Sequence, residues 1–216
     1  MPRLAEGVGD RLAAQIYTLC LDLLQRELPL LTDTFDLAIC PSRNEDRDWV
    51  VSRFGCSNHV VPREAEDFGE RLMEGLCFLR RLGYRDVVFL RSEAPSLPLP
   101  YLRVIRRILY EKDVVIGPAQ EGGAYALGVR TDLPPMGGLP WDSERLFGEL
   151  TDLFVRHDLS VGIGPPWYGV RSVDDLHRAA KDLSRSPSLA RQMFGRWVRD
   201  VLACRGAEDG AVRDSH

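Results

Sequence analysis

Two apolar runs, each ending abruptly in a loop of acids, glycine and proline, constrain this chain more than any other feature. The first reads VVFLRSEAPSLP from residue 87 to 98, and the second reads VVIGPAQEGGAYALG from residue 114 to 128. Short runs rich in β-branched and aromatic residues, bounded by turn formers, predict buried strands. Ligands of α/β proteins sit in the crevice beyond the carboxyl ends of such strands. Two junctions of this kind in one small domain therefore predict a binding site at one end of a sheet.

The surrounding sequence supplies the helices. Leu12, Ile16, Leu19 and Leu23 recur at helical spacing behind Asp10, a candidate N-cap, and Pro29 stops the pattern. Phe35–Cys40 and Val60–Val61 read as short strands, with a loop over Ser42–Asp48 and a short helix through Phe54 between them. Phe68, Leu72, Leu76 and Leu79 share one helix face, and Gly83 is the expected stop. Helices are predicted over Leu102–Tyr110, Glu144–His157, Ser172–Leu183 and Pro187–Cys204, with strands at Val87–Leu90, Asp113–Gly117, Tyr125–Val129 and Leu159–Ile163. Alternation of helices with short buried strands predicts an α/β fold with a mostly parallel sheet. The link before Tyr125–Val129 is too short for a parallel crossover, so one antiparallel member is expected. A single domain over 1–204 and a disordered polar tail over 205–216 complete the expectation.

Composition narrows the partners. A formal net charge of −4 argues against nucleic acid or an anionic membrane, which select basic patches. No apolar run approaches the ~20 residues that span a bilayer, and the first residues lack a signal-peptide core, which together predict a cytoplasmic protein. The five cysteines are odd in number and widely spaced, which predicts reduced, buried thiols. Phe194, Trp197 and Val198 on the last helix suit either a homodimer face or a cap on the core.

The segments FGERLMEGLCFLRRLGYRDVVFLRSEAPSLP, DVVIGPAQEGGAYALGV, GLPWDSERLF and PPWYGVRSVDDL, in that order, resemble the DUF2064 family over about Leu4 to Leu183. These bacterial proteins are grouped with the nucleotide-diphospho-sugar transferases. The resemblance implies a three-layer glycosyltransferase-A, Rossmann-like sheet and a glycosyl- or nucleotidyltransferase acting on a nucleotide-sugar or nucleoside triphosphate. It further implies a site built from three loops.

In the first loop the family pattern Ser-Asp-X-Pro supplies an aspartate to a divalent cation, Mg²⁺ or Mn²⁺. Here it reads Ser92-Glu93-Ala94-Pro95, so Glu93 is the candidate catalytic and metal-binding acid, its carboxylate displaced by one methylene. The bland alternative is a helix cap or a pair with Arg91. The second loop, Gln120-Glu121-Gly122-Gly123-Ala124-Tyr125, matches an acidic-Asp-Gly-Gly-Tyr pattern. Its glycines allow close ligand approach. Glu121 is either a base or acceptor-positioning group, or a solvated turn acid. The third loop departs most: Trp167-Tyr168-Gly169-Val170-Arg171-Ser172 stands where the family has Trp-Tyr-Asp-Val-Asp-Thr. Arg171, with Arg91, would then hold phosphate in place of the cation. Trp141, Trp167 and Tyr168 would stack on a base or sugar, or pack beneath the loops. Asp142 and Glu144 suit the positive end of the following helix.

The family's first strand and basic nucleotide-cradling loop have no counterpart in MPRLAEGVGDRL. Either they lie upstream of the given start, or the sheet has closed up so that Phe35–Cys40 pairs directly with Val87–Leu90. The competing functional reading is a degenerate homologue that binds a small ligand or protein partner without turnover.

Overall fold

Proline and glycine punctuate the chain where helices begin and end. A computed structural model describes residues 2–41, 46–54, 59–62 and 64–213, with side chains through Cys204. Ser42–Glu45 of the expected loop, Cys56 and the last three residues lie outside the described residues. The chain groups into two compact units: residues 1–26, 92–96 and 169–216 form the first, and residues 27–91 and 97–168 the second.

The first unit is helical. Helix α1 spans Pro2–Val8, and α2 spans Asp10–Glu27, whose last residue belongs to the second unit. Gly9 between them has φ 81°, a left-handed turn that glycine enters without a Cβ penalty. Helix α7 (Val173–Ser184) starts at a reciprocal capping box, in which the Ser172 side chain accepts from Asp175 N–H and the Asp175 carboxylate accepts from Ser172 N–H. α8 spans Leu189–Arg213. It packs on α7 where Gly195 leaves room against the Ala180 carbonyl. The backbone of 205–213 continues this helix, where the polar composition predicted a disordered tail.

The second unit carries both sheets. β1 (Ala38–Ile39) pairs in parallel with β2 (His59–Val60), and α3 (Arg47–Phe54) lies between them in sequence. A four-stranded sheet has the order β3-β5-β4-β6, with β3 Val87–Leu90, β4 Val114–Pro118, β5 Ala124–Val129 and β6 Val161–Ile163. β5 runs antiparallel to both its neighbours, and β4 pairs in parallel with β6. The antiparallel member expected at Tyr125–Val129 is thus present. It sits between β3 and β4, so the sheet is mixed and only partly parallel. The closed-up arrangement does not form: β3 has β5 for its partner, and β1 has β2. Both strands instead lie against α4 (Phe68–Arg81), where a Cβ on Gly75 would stand 3.4 Å from Cys40 Sγ and 3.4 Å from the Phe89 ring. They share a helix without sharing a ladder.

Alternation along the strands sorts the core. Val114, Ile116, Leu127 and Val129 pack with Leu72, Leu76 and Leu79 of α4 and with Leu146, Leu150 and Phe154 of α6 (Leu146–Arg156). Gly128 lies against Ile105 and Leu109 of α5 (Pro100–Leu109). Among the described cysteines only Cys20 is buried; Cys40, Cys77 and Cys204 are exposed, and all four are free. Apolar neighbours in sequence misjudged three of them: Cys77 and Cys204 stand on outward faces of amphipathic helices, and Cys40 follows the end of β1. No helix of the described residues is long and apolar enough to cross a membrane.

Candidate site at the carboxyl end of the sheet

β3, β4 and β6 all end on one side of the sheet, and β5 begins there. Four segments of the second unit meet at this end: Arg91, the Ala119–Gly123 loop, the stretch from Pro140 to Glu144, and the stretch from Pro165 to Tyr168.

The Ala119–Gly123 loop is closed by its own backbone. Ala119 N–H donates to the Gly123 carbonyl at 2.9 Å, and Gly122 N–H donates to the Ala119 carbonyl at 2.9 Å. Gln120 N–H reaches the Trp167 carbonyl at 2.7 Å, and Trp167 N–H reaches that of Pro118 at 3.0 Å. Gly122 has φ 84°, and a Cβ there would stand 2.0 Å from the Glu144 carbonyl oxygen. Its own carbonyl accepts Phe147 N–H at 2.9 Å, in the first turn of α6. The group that approaches Gly122 closely is therefore backbone from the same chain.

Tyr125 is 2% exposed. Its ring covers Gly117, whose Cβ would come within 2.7 Å of Tyr125 Cζ, and its hydroxyl donates to the Pro165 carbonyl at 2.8 Å. Burial pushes this phenol well above its ordinary value. It is a brace beneath the Pro165–Tyr168 segment. Tyr168 is likewise buried and stacks on Trp167 at 5.1 Å, and Trp167 meets Tyr101 edge-on at 5.6 Å. Trp167 keeps a partly exposed surface.

Arg91, directly after β3, is the anchored cation of this end. It donates through Nη1 to the Trp141 carbonyl at 2.9 Å and through Nη2 to Asp142 Oδ1 at 3.2 Å. Its guanidinium also lies over the Phe68 ring at 5.5 Å, and Phe68 packs on Trp141 at 4.8 Å. Trp141 is 9% exposed, and its buried indole N–H has no hydrogen-bond partner among the described groups.

Two partners of Arg91, Phe68 and Asp142, escaped sequence reasoning in this role. Asp142 was assigned to a helix N-terminus, yet α6 begins only at Leu146. The charge that answers Asp142 lies 51 residues away. A cation brought near by the fold is invisible to local spacing.

The other expected site residues belong to the first unit. Tyr17 Oη and Ser92 Oγ are 3.2 Å apart, and Val170 N–H donates to the Glu93 carbonyl at 2.7 Å. The Ser92–Glu93 loop and the Gly169–Arg171 segment are thus joined by backbone. Cys20 is fully buried, and burial together with the nearby Glu93 carboxylate pushes its thiol far up. Arg171 N–H donates to Asp175 Oδ2 at 3.0 Å, which ties it to the start of α7.

Comparison with known proteins agrees with the fold. The family described as "Uncharacterized protein conserved in bacteria (DUF2064)" matches residues 29–143. A crystal structure of a proposed nucleotide-diphospho-sugar transferase from Desulfovibrio desulfuricans G20, at 1.90 Å resolution, superposes with a TM-score of 0.79. The two are 27% identical, over 94% of this chain and 88% of that one. None of the curated proteins searched matches the chain. With more than half of its length matched by the family, and a solved neighbour alike along nearly all of it, this chain belongs to the DUF2064 family.

Proposed function

We propose that this protein binds a nucleotide or nucleotide-sugar at the carboxyl end of the β3-β5-β4-β6 sheet and transfers a glycosyl or nucleotidyl group. The observation that carries the reading is Arg91, an arginine held at the end of β3 between an aromatic ring and a loop. Arginine presents a fixed fork of donors that matches phosphate oxygens and keeps its charge at any working pH. Similarity to the Desulfovibrio protein supports the ligand class. A full glycosyltransferase-A, three-layer architecture and a cytoplasmic setting belong to the same reading. Trp167, partly exposed beside Tyr101, offers a face to a base or sugar. Glu121, on the Ala119–Gly123 loop of the same unit, is the acid this reading assigns to the chemistry.

Glu93 is the one carboxylate that the family pattern assigns to a divalent cation. A single carboxylate is a thin donor set for Mg²⁺ or Mn²⁺, which take several oxygens. Binding without turnover is the second reading, favoured by the Ala119–Gly123 loop, whose Ala119, Gln120 and Gly122 N–H groups are spent on the fold.

Thermal-shift measurements against nucleoside di- and triphosphates, with and without Mg²⁺ or Mn²⁺, test binding. The reading expects stabilisation by at least one nucleotide and its loss in Arg91→Gln. No shift with any nucleotide contradicts it. Product formation from the stabilising nucleotide-sugar then separates transfer from binding alone.

A further inference from the structure

The stretch from Pro140 to Glu144 is fastened at two points of unequal strength. At one end the Glu144 backbone seats on Gly122, a contact only glycine permits. At the other end the Trp141 carbonyl and Asp142 carboxylate hold Arg91. Between these anchors the backbone turns, with Ser143 N–H donating to the Pro140 carbonyl at 2.9 Å and Leu146 N–H to that of Ser143 at 3.3 Å. The stretch is therefore a short strap fastened at both ends. Its Asp142 side chain is 87% exposed, whereas that of Arg91 is 21% exposed.

We infer that Asp142 is a latch that stands in for the ligand's phosphate. Its carboxylate takes one arm of the Arg91 fork, and an incoming phosphate must displace it. An exposed carboxylate is the cheaper anion to release, since water solvates it and salt screens it. A diphosphate brings more charge and several oxygens to the same fork. The strap then lets go at the Arg91 end while Gly122 keeps its other end in place. This inference rests on the proposed binding of a phosphate-bearing ligand at Arg91, and it adds that ligand affinity is set below its ceiling by the protein's own carboxylate.

Calorimetric titration of the full chain with UDP and with inorganic pyrophosphate tests it. Asp142→Asn is expected to tighten binding by about threefold to fivefold, the factor an exposed ion pair withholds. Glu144→Gln removes the same charge from the same strap without touching Arg91, and is expected to leave affinity nearly unchanged. Equal effects of Asp142→Asn and Glu144→Gln, or none from either while the unaltered chain binds and Arg91→Gln does not, overturn the latch and leave the binding reading standing. Absence of binding by every variant overturns both.

Discussion

The two ends of the Pro140–Glu144 strap are built from different physics. At Gly122 the fold relies on shape: a positive φ and a carbonyl oxygen where a Cβ would be. At Arg91 it relies on charge at a partly solvated surface. Shape of this kind is all or nothing, because a methyl group cannot be accommodated by screening or solvation. Charge is graded, and water, salt or a competing anion can take it over. A molecule that must stay folded while a ligand enters gains from placing the first kind under the strap and the second kind at its rim.

Substitutions at the rigid end should therefore cost most. Gly122→Ala forces both a strained φ and a clash with Glu144. It is expected to destabilise the chain by about 4 kcal/mol, at the upper end for single substitutions, read as a fall in the urea midpoint. Loss of about 1 kcal/mol or less would show the Gly122 contact to be as soft as the Arg91 end, and the comparison would fail. Gly117→Ala presses a methyl group into the Tyr125 ring and is expected to cost ~1–3 kcal/mol by the same measurement. Tyr125→Phe removes only the hydroxyl bond to Pro165 and should cost about 1 kcal/mol. Asp142→Asn, at the graded end, should alter stability by no more than ~1 kcal/mol.

A carboxylate elsewhere in the sheet sharpens the contrast by pH. Asp113 accepts from Ser160 Oγ at 2.6 Å and from Ser160 N–H at 2.8 Å, linking the residue before β4 to the residue before β6. These bonds, the side-chain one first, hold its carboxyl below the ordinary value of 3.8. A depressed folded value means that stability from Asp113 is fully present above 3.8 and is lost as pH falls through the lower, folded value. The Asp113→Asn variant should therefore show less loss of stability than the parent chain over that acidic window, in denaturant titrations run at successive pH values. An identical acid profile would remove Asp113 from the account.

What the sequence made legible was local. The α4 stripe of Leu72, Leu76 and Leu79 is buried, and Gly83 closes the helix with φ 93°. The Ser172–Asp175 box was readable because both partners lie within one turn. The antiparallel course of β5 followed from a short link, another local quantity. Nonlocal facts were lost. Phe35–Cys40 contributes only Ala38–Ile39 to a strand, and the separation of β1 from β3 depends on how α4 lies over both. The Gly-Gly pair is visible in the sequence, but the neighbour that needs Gly122 is Glu144, 22 positions away. Asp142 was read from its own neighbourhood, while its partner Arg91 arrives only through the sheet. The aromatic residues divide the same way: Tyr125 and Tyr168 are spent on packing, and Trp167 alone of the third loop's pair keeps an open face.

A crystal structure of the full chain with a bound nucleoside diphosphate addresses the central claim most directly. Phosphate oxygens are expected within hydrogen-bond distance of the Arg91 guanidinium, with Asp142 displaced from it and Glu144 still seated on Gly122. A nucleotide bound elsewhere, with Arg91 still holding Trp141 and Asp142, would contradict it.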